Sequence, residues 1–157
     1  MSKARRTPLA EAVAAEGRDA LRLDAQICFA VYGANNAIGR AYQPLLAKLD
    51  LTYLQYVTML ALWEEDGVRV KDLGARLRLD SGTLTPLLKR LERKELVERR
   101  RDAEDERVVR IHLTRPGRAL RRRAAKVPEA LACRVGLSVE EAQELARLCA
   151  RVLEELG

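Results

Sequence analysis

Residues 70–101, VKDLGARLRLDSGTLTPLLKRLERKELVERRR, constrain the fold more than any other stretch of the chain. Val70, Leu73 and Leu77 recur at the spacing of one helical face, as do Leu84, Leu87, Leu88 and Leu91, and only Arg78, Leu79 and Asp80 separate the two runs. Two short amphipathic helices over 70–77 and 81–94, joined by so tight a connection, have a helix-turn-helix spacing. Either Asp80 or Ser81 can cap the second helix. Ser81, Gly82, Thr83 and Thr85 then lie at its start, where small polar side chains can approach base edges and phosphates in a major groove. Pro86 falls beyond the first turn, deletes a backbone hydrogen bond at a cost of about 3 kcal/mol, and predicts a local bend.

The flanking segments narrow the choice further. In LVERRRDAEDERVVRIHLT, residues 96–114, β-branched residues on either side of a polar tip, Asp102 to Glu106, predict two short strands. A hairpin directly after a recognition helix is a wing. Upstream, Leu23, Ile27, Val31 and Ile38 predict a long helix over 21–42 that ends before Pro44. Thr52 and Gln55 form a capping-box pattern opening a helix over 53–64, which Asp66 and Gly67 close. Downstream, Thr114, Pro116 and Gly117 restart helix, and ALRRRAAKVPEALACRV continues it with a bend at Pro128. Ser138 with Glu141 opens the last helix, whose apolar side carries Val139, Ala142, Leu145, Leu148, Val152 and Leu156. The fold class expected is mainly α with a small β-wing. It comprises a flexible arm over 1–18 and one domain over 19–157, with a winged helix-turn-helix lobe at 51–115 and dimerisation helices at 19–50 and 116–157. The first and last helices are too apolar for the exterior of a monomer, which predicts a homodimer.

Charge points to the partner. Of 29 lysines and arginines and 23 carboxylates, residues 81–123 hold 14 against 7, leaving 15 against 16 elsewhere, so the positive excess lies in the third of the chain that runs from the second helix of the helix-turn-helix through the wing into the helix after it. That coincidence predicts double-stranded DNA. Lys89, Arg90, Arg93, Arg99, Arg100 and Arg101 would contact phosphates and supply salt-dependent affinity, while Thr83 and Thr85 read the major groove. Arg107, beside the wing tip, would enter the adjacent minor groove, with Asp105 orienting it. A dimer would set two recognition helices about 34 Å apart and prefer a pseudo-palindromic site. No run reaches the roughly 18 apolar residues of a membrane span, and Lys3, Arg5 and Arg6 lead into Pro8, Glu11 and Glu16 rather than a signal core. A cytoplasmic protein, with no membrane partner, is expected. Three widely spaced cysteines, Cys28, Cys133 and Cys149, signal neither a disulfide framework nor a metal site, and no cofactor is called for.

Cys28 raises a separate question, because it sits in an apolar helical run, QICFAVY, and four tyrosines follow it. Peroxide reacts with thiolate, and apolar neighbours such as Ile27, Phe29 and Val31 disfavour the anion by desolvation. No cation lies within a helical turn, so neutral donors are the remaining support, and Tyr32, at i+4, shares the face of Cys28. Without such support a lone cysteine on an apolar helix is an inert structural residue. Tyr56 and Trp63 read as core. His112, with no acidic or thiol cluster around it in sequence, reads as structural, and Glu64, Glu65 and Asp66 read as a helix terminus.

In its order of helix, helix, helix-turn-helix, wing and two C-terminal helices, the chain resembles the multiple antibiotic resistance regulator (MarR) family. DSGTLTPLLKRLERKELVERRRDAEDERVVRIHLTRPG is similar to that family's DNA-binding lobe, including the D-x-R at Asp105 and Arg107 and the L-T-x-x-G at Leu113 to Gly117. QICFAVY and the tyrosines behind it resemble the organic hydroperoxide resistance regulators, the peroxide-sensing branch, and the resemblance extends over residues 20–156. It implies a dimeric repressor with a reactive Cys28 that Tyr42 and Tyr53 reach across the dimer interface. It further implies the two-cysteine subtype, with Cys133 of the other subunit resolving the oxidised Cys28 as a disulfide and operator DNA being released. Apolar surroundings would then favour organic hydroperoxides over hydrogen peroxide. Cys149 matches no role in the branch and reads as a small buried hydrophobe, although it could substitute as resolver. Three other readings keep part of the pattern: a repressor released by a small phenolic ligand, a thiol peroxidase, and a non-specific architectural protein. The missing strand-rich thioredoxin-like pattern argues against an enzyme.

Overall fold

The computed structural model describes residues 11–13 and 20–156, so most of the arm expected over 1–18 lies outside the described residues. From residue 27 on, the described helices and strands follow in the order α1 (Ile27–Ala47), α2 (Tyr53–Glu64), β1 (Val68–Arg69), α3 (Val70–Leu77), α4 (Ser81–Arg93), β2 (Val97–Arg101), β3 (Val109–Leu113), α5 (Arg115–Ala124), α6 (Val127–Val135) and α7 (Val139–Leu156). The mainly α class with a small β-wing is what the residues build. Two compact units divide the chain, one ending at Arg40 and the other spanning 41–157.

The first helix departs from its expected limits at both ends. Instead of helix from residue 21, Leu23–Ala25 forms a 3-10 turn, Gln26 is extended, and α1 starts at Ile27. Local polar bonds win here: Arg22 pairs with Asp24, and the Gln26 amide donates to the Arg22 carbonyl at 3.1 Å. At the other end α1 runs through Pro44 to Ala47. The proline deletes one helical hydrogen bond, at about 3 kcal/mol, but the continuation delivers Leu46 and then Leu49 into the core, and each buried leucine returns about 1.5–3 kcal/mol.

In the second unit the expected signals are realised as hydrogen bonds. Thr52 and Gln55 complete a capping box at the start of α2: the Gln55 side-chain Oε1 accepts from Thr52 N–H at 3.0 Å, and the Thr52 hydroxyl accepts from Gln55 N–H at 3.4 Å. Arg78 takes the left-handed conformation that turns α3 into α4, and Asp80 is the N-cap of α4. That helix runs unbroken past Pro86 and ends one residue before the expected Lys94, which caps it instead. Leu73, Leu84, Leu87, Leu88 and Leu91 face Met59, Leu62, Ile111 and Leu113 in one core. Tyr56 and Trp63 belong to it as expected.

The wing is a three-stranded antiparallel sheet in the order β1-β3-β2, with Ile111 opposite both Val68 and Arg99. At two residues, β1 is too short to leave a periodic trace in the sequence. After the wing, Thr114 caps α5 by accepting Gly117 N–H at 3.0 Å. A Cβ on Gly117 would lie 2.0 Å from the Leu96 carbonyl oxygen, so only glycine allows this approach, and the Gly117 carbonyl in turn accepts the Trp63 indole N–H at 2.9 Å. Where a bend at Pro128 was expected, the helix stops at Ala124 and α6 begins at Val127, with Pro128 in its first turn, where the missing N–H has no helical acceptor to lose. Ser138 and Glu141 form the second capping box.

Asp66 is more than a helix terminus. Its Oδ1 accepts the N–H groups of Gly67, at 2.9 Å, and Leu113, at 2.7 Å, while Oδ2 accepts Arg118 at 2.9 Å. His112, expected to have no carboxylate near it, has Nδ1 3.9 Å from the same group. One side chain thus ties α2 to β3 and α5.

Candidate DNA interface and reactive thiol

Asp80 sets the geometry of the recognition helix. It accepts the Thr83 backbone N–H at 2.8 Å and the Thr83 hydroxyl at 3.1 Å. The backbone bond first and the hydroxyl second hold its carboxyl below the usual carboxylate range. Thr83 is therefore partly committed to the cap, whereas Ser81 and Thr85 stand exposed on α4. Lys89, Arg90 and Arg93 are exposed farther along the same helix.

The wing arginines divide into two kinds. Arg99 turns inward: Nη2 donates to the Thr85 carbonyl at 3.2 Å and Nε lies 3.3 Å from Glu92, so this guanidinium braces β2 against α4. Arg110 likewise pairs with Asp102 and donates to the Gly67 carbonyl at 2.9 Å, and that pairing, ahead of the Glu104 N–H, lowers the Asp102 pKa. Arg100 pairs with Glu98, and Arg101 approaches Glu106 only to 4.0 Å. Arg107 is exposed at the tip. Asp105 accepts its backbone N–H at 3.0 Å, and Val108 N–H returns to the Asp105 carbonyl at 2.9 Å, so Asp105 orients Arg107 by fixing the turn beneath it.

Two cations escaped the sequence reading. Arg69 and Lys71, at the junction of β1 and α3, lie before the basic segment in sequence, yet they line a cleft shared with Ser81, Arg99 and Arg107. Only the register of β1 on β3 brings them there.

In the first unit, Cys28 is an exposed free thiol in the first turn of α1. Tyr32, one turn on, is also exposed, its ring 6.5 Å from that of Phe29. Ile27, Phe29 and Val31 are exposed too, so one protomer alone does not enclose the thiol in the apolar setting expected for it. In the second unit, Tyr42 and Tyr53 meet with ring centroids 5.0 Å apart, and Tyr56 lies 5.8 Å from Tyr42. Burial, then the neighbouring phenols, raises the Tyr42 pKa, and burial raises that of Tyr56. Cys133 on α6 is exposed. Cys149 on α7, expected as a buried hydrophobe, is exposed as well, because α7 buries none of its residues within the protomer. Among the described residues no group of histidines, cysteines and carboxylates could hold a metal, and no helix is long and apolar enough to cross a membrane.

This arrangement has close relatives. The family model for the transcriptional regulator SarA/Rot matches residues 40–123. The HTH-type transcriptional regulator TtmR of Methylorubrum extorquens is 50% identical over 138 residues, 88% of this chain and 71% of that protein. The organic hydroperoxide resistance transcriptional regulator of Bacillus subtilis is 43% identical over 130 residues, 83% of this chain and 86% of that one. Among solved structures, reduced AbfR bound to DNA is 33% identical with a TM-score of 0.71, covering 89% of this chain and 97% of its own. Overoxidized AbfR, also bound to DNA, superposes with a TM-score of 0.72 at 32% identity, covering 89% and 98%.

Proposed function

The chain belongs to the SarA/Rot-type, MarR-like winged-helix family of transcriptional regulators, and from that membership we propose that it is a homodimeric repressor that senses organic hydroperoxides through Cys28. The observation that carries the sensing part is the placement of Cys28 one helical turn from Tyr32 on the apolar start of α1, a phenol neighbour at i+4 that supplies a hydrogen-bond donor for a thiolate. The 43% identity to a regulator named for organic hydroperoxide resistance supports the same reading.

In this reading Ser81, Thr85 and the free edge of Thr83 read the major groove of a pseudo-palindromic operator, Lys89, Arg90, Arg93 and Arg101 contact phosphates, and Arg107 enters the minor groove. Arg99 and Asp105 act by positioning, the first through the Thr85 carbonyl and the second through the Arg107 backbone. Residues 51–115 are the DNA lobe, and the flanking helices form the dimer. Tyr32, with Tyr42 and Tyr53 of the partner subunit, donates hydrogen bonds to the Cys28 thiolate. The thiolate attacks the terminal oxygen of ROOH and the O–O bond breaks, leaving cysteine sulfenic acid and, after protonation, the alcohol ROH. The thiolate of Cys133 of the partner subunit then displaces hydroxide from that sulfur, forming a disulfide and, with one proton, water. Drawing these helices together changes the spacing of the two lobes, and a coupling of about 3 kcal/mol suffices to weaken DNA binding more than a hundredfold.

The test is binding of the reduced protein to a labelled duplex from upstream of its own coding sequence, before and after stoichiometric cumene hydroperoxide. Wild type should release DNA and recover with dithiothreitol, while Cys28→Ser stays bound. If peroxide leaves wild-type binding unchanged, Cys28 is not the sensor and a reversible phenolic ligand becomes the inducer to look for. Release in Cys133→Ser that no longer passes through a protein disulfide would assign the resolving step elsewhere.

A further inference from the structure

Between the start of α4 and the wing lies an open cleft of about 740 Å³ whose charged lining consists of Arg69, Lys71, Asp72, Arg99 and Arg107, with Ser81 on the α4 side. Four cations against one carboxylate is a strong bias for a cleft this size. Of these four, Arg99 is already neutralised by Glu92, as Arg110 and Arg76 nearby are by Asp102 and Glu64. Arg69, Lys71 and Arg107 are exposed and form no ion pair among the described residues. Among the described residues, only Asp72 opposes these three cations in the cleft, which keeps a net positive charge.

We infer that this cleft is the channel for a phosphodiester strand of the duplex, with Arg69 and Lys71 as phosphate contacts between the recognition helix and the wing. The inference rests on the DNA-binding reading and adds a site to it. When α4 enters a major groove and Arg107 the adjacent minor groove, the strand that separates those grooves must pass between α4 and the wing tip. The floor and walls of that passage are the residues of the cleft. Phosphate contacts position without reading sequence, so Arg69 and Lys71 should contribute salt-dependent affinity and no base preference. Asp72 stands in the same cleft and opposes the strand.

The experiment measures binding of the full chain to a mixed-sequence duplex and to its own upstream duplex between about 50 and 200 mM salt. Arg69→Gln and Lys71→Gln are each expected to lower the slope of log K against log salt by about 0.9 for every phosphate contact removed, equally on both duplexes. Asp72→Asn should tighten binding on both. Arg122→Gln, which removes the same charge outside the cleft, should leave the slope unchanged and so separates local contact from net charge. Unaltered slopes in the Arg69 and Lys71 variants, or an equal fall in Arg122→Gln, would overturn the channel. Failure of wild type to bind either duplex would instead overturn the DNA-binding reading itself. Arg69 and Lys71 are exposed, so their variants retain the fold, which a circular dichroism spectrum checks.

Discussion

Helices α4 and α7 have the same amphipathic grammar and opposite fates. In α4 the leucines at 84, 87, 88 and 91 are all buried, whereas in α7 Leu145, Leu148 and Val152 remain 43–48% exposed within the protomer. The α1 start, with Ile27, Phe29 and Val31 in the open, behaves like α7. Periodicity states that a face needs cover, and it does not say which chain supplies it. For α4 the cover is the wing and α2; for α7 the proposal is a second copy.

Substitutions on the two helices separate these cases. Leu91, fully buried, should cost about 4 kcal/mol as Leu91→Ala, read from urea unfolding, whereas Leu148→Ala should change the protomer's unfolding free energy by less than about 0.5 kcal/mol. Equal losses at both sites that do not depend on protein concentration would mean that α7 is packed within its own protomer. The double change Leu145→Asp with Leu148→Asp is next in size: it should raise the dimer dissociation constant on the order of a hundredfold in sedimentation equilibrium, with the helical circular dichroism of the lobe retained. An unchanged association state would remove α7 from the interface.

How far these regions were legible in the sequence depends on the range of the interaction. Thr52 with Gln55, Ser138 with Glu141, and Asp80 before Thr83 act over three residues; the first two caps are where the letters put them, and Asp80 is one of the two that they allowed. Signals fail where distant groups decide. The Pro44 rule ended α1 too early, because burial of Leu46 and Leu49 outweighs one lost hydrogen bond. Strand β1 exists only through its register on β3, and the four contacts of Asp66 come from segments up to 52 residues away. The same holds for the DNA face, where Arg99 reads as a phosphate contact in the run Arg99 to Arg101 until Thr85 and Glu92, on another element, are seen to engage it.

Smaller effects sharpen the lobe side of the comparison. Gly117→Ala, which must push α5 away from the Leu96 carbonyl, should cost about 2 kcal/mol in thermal unfolding, against the gain usual for glycine to alanine in a helix. Thr52→Ala should cost about 1 kcal/mol, and a smaller loss for Ser138→Ala would fit an α7 that the protomer does not hold. The smallest effect concerns acid. The carboxyls of Asp80 and Asp102 are lowered in the folded state, so their stabilisation is complete above about pH 4 and is lost as pH falls through the folded values. Asp80→Asn keeps a capping side chain and should flatten that dependence below pH 4; an unaltered acid profile would show that the cap is not a charged one.

The placement of β3 between its two neighbours has a consequence for the crowded life of many identical lobes. A strand with one apolar face, such as Val109–Leu113, left at a sheet margin, would offer unpaired backbone to any other copy and invite strand-by-strand growth into aggregates. Here one margin is two residues long and the other ends in Arg100 and Arg101, whose like charges repel a matching edge. In the proposed repressor, Arg101 would thus serve twice, as a phosphate contact while DNA is bound and as a guard against wing-to-wing pairing once it has gone.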